Sequence, residues 1–142
     1  MGLAELREAA RRPVLSMIDL ALDEVGRRGC RRVGLLGARG VPAPYVDGLD
    51  ARRIACERID ADLQRPLDAG IRAVMEGREG KDEREAALTA VDELRARHVD
   101  AIILGCTEIP LLLGDETDAP DLISPAALLA EAAVRFAIAG AP

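Results

Sequence analysis

Gly105-Cys106-Thr107-Glu108 is the stretch of this chain whose residue types suit moving a proton or holding an anion. It follows an apolar run at 101–104, of the kind that forms a strand buried on both faces. In open parallel sheets ligands bind beyond the carboxyl ends of the strands. The run would therefore deliver a thiol, a hydroxyl and a carboxylate to a ligand edge. Cys106 has acid, base and nucleophile chemistry available once thiolate is favoured. Thr107 offers a hydroxyl donor, Glu108 could orient either neighbour, and Gly105 would let a ligand approach the backbone closely. If residues 107–113 begin a helical turn, its free N–H groups would attract an anion and favour the thiolate. A cysteine beside a buried strand is usually just a small apolar filler, and strand-plus-cysteine is a weak signal by itself. Spacing alone leaves both readings open.

The other reactive side chains are more easily read as structure. Cys30 ends a helix after Gly29, at the sheet end opposite the ligand edge, and Cys56 has neither glycine nor threonine beside it. Three widely spaced cysteines without CxxC pairing fit reduced thiols in a cytoplasmic chain, and with His98 the single histidine a metal site is short of ligands. His98 suits a helix C-terminus, where imidazole interacts well with the dipole, and Asp19 suits a helix start. The stretch Gly37-Ala38-Arg39-Gly40 matches neither a dinucleotide nor a phosphate loop. Arg39 there is either a source of charge for a ligand or a solvated loop cation. Tyr45 either reaches the ligand edge or packs on the sheet.

The elements that must position these residues follow from periodicity. Helices are expected over 2–12, 19–28, 60–75, 82–97 and 125–139, the last opening on Pro125. Strands are expected over 13–18, 32–37, 52–56, 100–105 and 122–123, with 38–50 largely loop because of its glycines and prolines. Strands alternating with helices give an α/β fold, a mostly parallel four- to five-stranded sheet flanked by helices in three layers. With 49% hydrophobic residues but only two aromatics, Tyr45 and Phe136, the core must be built from aliphatic side chains. Nineteen basic against twenty-five acidic residues, net −6, argue against a nucleic-acid partner. No apolar run reaches the roughly 18 to 20 residues that cross a bilayer. A soluble cytoplasmic protein is the expectation.

DAIILGCTEIPLLL, a short acidic loop and DLISPAALLAEAAVRFA together resemble the C-terminal signature of the aspartate/glutamate (Asp/Glu/hydantoin) racemases. PVLSMIDLALDEVGRRGCRRVGLLGARG resembles the family's strand, helix and strand leading into a Gly-rich loop. The stretch from Gln64 through Asp68 to Ile71 resembles its middle helix. Residues 1–142 thus read as one Rossmann-like lobe resembling the C-terminal half of a two-lobed enzyme.

The resemblance implies an isomerase that racemises an amino acid without pyridoxal phosphate or any other cofactor or metal. One thiolate removes the α-proton and a thiol on the opposite face returns one. Cys106 is then one of the two acid/base thiols, with Gly105, Thr107, Glu108, Arg39 and Gly40 around a small amino-acid or dicarboxylate substrate. Thr107 would donate to a substrate carboxylate, and Glu108 would support the site rather than act as base. The family's first cysteine motif lies in an N-terminal half that this chain is expected to lack. A homodimer or a complementary N-terminal half is therefore expected, with self-association through a Leu- and Ala-rich face. Family hydroxyls are absent from the 37–42 loop, Ser124 stands where the family tends to place aspartate, and Glu76 stands near its usual basic residue. The alternative is a truncated or degenerate lobe that binds a small carboxylate or a partner chain without turnover. One-cysteine decarboxylases of malonate-type acids, which share the fold, are a more distant fit.

Overall fold

The computed structural model describes residues 3–10, 14–39 and 43–139. Its elements run α1 (Leu3–Ala9), α2 (Met17–Arg27), β1 (Arg32–Leu36), α3 (Ala43–Ala51), β2 (Ala55–Glu57) and α4 (Ala61–Met75). Then come α5 (Lys81–Ala96), β3 (Ala101–Leu104), α6 (Ile109–Leu113), a 3-10 turn (Gly114–Asp118), β4 (Leu122–Ile123) and α7 (Pro125–Ala139).

The four strands form one parallel sheet in the order β2-β1-β3-β4, with Val33 beside Ala101, Leu36 beside Leu104 and Ile103 beside Ile123. Parallel pairing needs a crossover between strands, and helices supply it on both faces. Side-chain alternation divides the core in two. Leu36, Ile102 and Leu104 point to the face covered by α4, α5 and α6, where Leu67, Val91, Leu94 and Leu113 meet them. Val33, Leu35 and Ile103 point to the other face, against Ala21, Leu22 and Val25 of α2 and Tyr45 and Leu49 of α3. This is the three-layer α/β fold read from the sequence. Because β1 and β3 are buried on both faces, they had to be apolar throughout.

Two expectations for the N-terminal half are corrected. Residues 14–18 do not form a strand. Pro13 lies outside the described residues, while Met17 and Ile18 open α2. The Ser16 side chain starts that helix by accepting from the Asp19 amide at 3.2 Å, an N-cap that overrides the short apolar run. Asp19 therefore sits in the first turn, paired with Arg7 at 2.7 Å.

The expected 38–50 loop contains a helix, α3. Pro44 falls in its first turn, where a missing amide costs nothing. Gly48 is there for packing, since a Cβ at that position would stand 2.3 Å from the Leu22 Cδ1.

The first-turn residues of α7 pack down, with Pro125 buried, but Val134 and Ile138 further along are 57% and 82% exposed. Among the described residues, no helix is long and apolar enough to cross a membrane.

Candidate active site

The site forms where β1 and β3, neighbours in the middle of the sheet, both end. Gly105 follows β3 and its amide donates to the Leu36 carbonyl oxygen at 2.6 Å, extending the ladder by one bond. A Cβ at Gly105 would stand 3.0 Å from that oxygen and 3.7 Å from the Tyr45 Cε2. The glycine therefore leaves room for neighbouring protein, rather than for a ligand as the sequence suggested. One residue later the chain turns, and Cys106 is half-buried at the rim.

The Cys106 thiol donates to Glu108 Oε2 at 2.8 Å, and the Thr107 hydroxyl donates to the same oxygen at 3.1 Å. Gly105, Cys106, Thr107 and Glu108 are thus brought together, but their hydrogen bonds run inward. Burial pushes the Cys106 thiol up from its ordinary range, and the adjacent Glu108 carboxylate pushes it further. Two backbone amides, of Glu108 and of Ala38, act on the sulfur in the opposite sense and lose. Glu108 is held down in turn, chiefly by the thiol it accepts from. The expected activation by a helix terminus is corrected: α6 has five residues, too short a stack of dipoles to outweigh a carboxylate at contact distance. In this arrangement Cys106 carries its proton.

The amide of Ala38 belongs to the loop after β1, and α4 holds that loop. Gln64 Nε2 donates to the Gly37 carbonyl oxygen at 2.9 Å and to Asp68 Oδ1 at 2.7 Å. The same Asp68 oxygen accepts from the Arg39 amide at 2.8 Å. Gln64 and Asp68 thereby fix Gly37, Ala38 and Arg39 beside the sulfur. Sequence reading saw these two residues only as part of a helix resemblance. The available signal was a polar pair at i,i+4 on the helix face that also carries the buried Leu67 and Ile71. Gly40 lies outside the described residues.

Cys106 lines a small hollow of about 20 Å³ together with Thr107, Tyr45, Met17, Ser124 and Pro125. A void of this size holds one water. Tyr45, only 3% exposed, was read as loop; it comes instead from α3 and turns its ring to Gly105. Cys30 and Cys56 do not line the hollow. Cys30 precedes β1 at the far end of the sheet, and Cys56 of β2 pairs with Val33 of β1; burial raises both thiols. Arg39 does not line it either, and faces a wider groove described below.

A family model described as Asp/Glu/Hydantoin racemase matches residues 1–133. An uncharacterized protein of the pnlA 3′ region from Pectobacterium carotovorum subsp. carotovorum is 32% identical over 114 residues, 79% of this chain and 75% of that protein. Among solved structures, a provisionally assigned Asp/Glu racemase from Yersinia pestis superposes with a TM-score of 0.78 at 25% identity over 95% of this chain. An aspartate racemase from Picrophilus torridus superposes with a TM-score of 0.69 at 27% identity over 87% of it. The chain spans 60% and 52% of the lengths of those two structures. With a sheet-edge thiol, a Gly-Cys-Thr-Glu turn and a family match running through both, the chain belongs to the Asp/Glu/hydantoin racemase family.

Proposed function

We propose that this chain is a lobe of a cofactor-independent amino-acid racemase in which Cys106 carries one of the two proton transfers at Cα. The observation that carries the reading is the Cys106 thiol at the rim of β3, hydrogen-bonded to Glu108 at 2.8 Å and opening on a hollow. As a thiol it is the acid that gives a proton to the carbanion; in the reverse direction its thiolate takes the α-proton. The α-proton of an amino acid is very weakly acidic, so donors around the substrate carboxylate must stabilise the developing charge. Thr107, swung off Glu108, and Tyr45 are the side-chain hydroxyls that line the hollow with the sulfur. Gly105 keeps the strand end close, Glu108 sets the protonation of Cys106, and Arg39 borders the substrate.

A hollow of about 20 Å³ encloses no amino acid. A facing surface therefore completes the site, either a complementary lobe or a second copy of this chain. It brings the thiol for the opposite face of the substrate. The exposed Val134 and Ile138 of α7, a helix whose first residue Pro125 lines the hollow, would lie under that cover. Residues 1–142 act as a single lobe, in the cytoplasm, where free thiols stay reduced.

The test is α-proton washout. The protein, at low and high concentration, is incubated in D₂O with L- and D-aspartate and glutamate, and the Cα–H signal is followed by NMR. Washout that rises more than linearly with protein concentration and disappears in Cys106→Ser supports the reading with a second copy as cover. Washout that survives Cys106→Ser overturns it. The absence of hydroxyls from the 37–42 loop favours a second reading, a lobe that binds a carboxylate without turnover; binding without washout at any concentration is what it expects, and excludes a second copy as the cover.

A further inference from the structure

Beyond Ala38 the loop after β1 borders a second depression, about 380 Å³, formed with α4 by Ala38, Arg39, Asp68, Ile71, Arg72 and Met75. It adjoins the Cys106 hollow through Ala38, whose amide is directed at the sulfur. Its lining brings together two arginines that have no carboxylate partner. Many arginines of the surface are met by carboxylates, as Arg27 and Arg28 are by Glu24, Arg95 by Asp121 and Asp92, and Arg97 by Asp60 and Glu93. Among the described residues Arg39 and Arg72 meet none, as is also true of Arg31, Arg53, Arg58 and Arg84, but Arg39 and Arg72 line one depression together. Asp68 lies between them, but its Oδ1 is already taken by the Arg39 amide and Gln64. Two guanidinium groups against one engaged carboxylate leave the groove positive in an anionic protein. Its walls include Ile71 and Met75, the latter 72% exposed, so the depression offers apolar surface beside the two guanidinium groups.

We propose that this groove binds an anionic group carried on an apolar stem, with Arg39 and Arg72 on the anion and Ile71 and Met75 along the stem. Guanidinium groups suit carboxylate and phosphate because their fork of donors matches the oxygens of either. A bare inorganic anion would use only half of the site. The inference rests on the reading above only in taking the bound acid for the reacting molecule. It makes Arg39 and Arg72 the residues that select among acids, and places selection on this lobe.

The experiment measures binding without turnover. Amide and arginine side-chain NMR signals of the ¹⁵N-labelled chain are followed during titration with hexanoate, hexanamide and inorganic phosphate. Hexanoate is expected to shift Ala38, Arg39, Arg72 and the flanks of Met75, with hexanamide and phosphate each at least about tenfold weaker. Arg39→Gln and Arg72→Gln should each weaken hexanoate about tenfold, the loss of one charge-assisted contact. Arg31→Gln, on the opposite sheet edge, should leave it unchanged. Equal binding of hexanoate and hexanamide, or an undiminished affinity in Arg72→Gln, overturns the proposal. Phosphate binding as tightly as hexanoate overturns the apolar stem. Washout without hexanoate binding sinks this inference alone; hexanoate binding without washout leaves it standing and removes the racemase reading in which a second copy completes the site.

Discussion

Replacing Glu108 by glutamine should make Cys106 more reactive, although it removes a hydrogen-bonding partner. In the native arrangement the sulfur and a carboxylate oxygen are 2.8 Å apart. Ionising the thiol there sets two negative charges face to face. Their repulsion is about 1.5 kcal/mol if the space between them behaved as bulk water and about 6 kcal/mol at an effective dielectric of 20. Both groups are half-buried, so solvent screens the pair and the lower figure is the safer floor. Glutamine removes the charge and leaves only a neutral, weaker acceptor for the thiol proton. The amides of Ala38 and Glu108, already directed at the sulfur, then act unopposed on the thiolate. At about 1.4 kcal/mol per factor of ten, the thiolate fraction at neutral pH should rise at least about tenfold. The assay is alkylation by iodoacetamide across pH 6 to 10, read on the Cys106 peptide by mass spectrometry, which separates it from Cys30 and Cys56. The rate profile of Glu108→Gln should move to lower pH, with a slightly lower plateau because a less basic thiolate is a weaker nucleophile. An unmoved profile, or one displaced to higher pH, would refute the account of what holds the proton on Cys106.

Three further outcomes follow from other parts of the molecule. Asp68→Ala frees the Arg39 amide and one Gln64 bond, so the Ala38 amide loses its fixed aim and Cys106 alkylation should slow at a given pH, opposite in sign to Glu108→Gln; an unchanged rate would mean the loop holds itself. Gly105→Ala forces a Cβ to 3.0 Å from the Leu36 carbonyl, and a backbone neighbour yields little, so denaturant unfolding should show a loss of about 1–3 kcal/mol; full stability would show that the strand ends part easily. Hydrogen bonding from Arg27, then Arg28, holds the Glu24 carboxyl down at about 2. A depressed acid gives stability that is complete above its open-chain value near 4.5 and is lost as pH falls toward 2. The Tm gap between the native chain and Glu24→Gln should therefore be constant above pH 5 and close below it. A gap unchanged at pH 2 would exclude the pairing as its source.

What was legible in the sequence was what repeats or alternates. β1 and β3 announced themselves as apolar runs, and α4, α5 and α7 by helical spacing, because burial on a defined face leaves a period. The misread segments are those where a single contact decides. Ser16 turned an apolar run into a helix start, and Gly48 resembled a breaker until Leu22 was found against it. Cys106, Thr107 and Glu108 were found as a motif, so the place of the site was accessible. The protonation of the sulfur was not, since it depends on which way the Glu108 side chain folds and on an amide from a distant strand end. Arg72 was passed over because an arginine on an exposed helix face is ordinary; only its place beside Arg39 in one depression, visible in three dimensions, sets it apart.

The central pair in the strand order β2-β1-β3-β4 has a consequence for how this lobe tolerates change. Sulfur and amide follow adjoining rungs of one hydrogen-bonded ladder, so their separation is set by the ladder together with the clamp that α4 places on the loop after β1. Length changes between positions 36 and 38, or between 104 and 106, would misalign the two at once. Insertions a few residues further out, past the clamp from α4, would leave their spacing alone. A lineage altering its ligand would be free to vary the outer stretch, while these two short hinges of chain stay at fixed length.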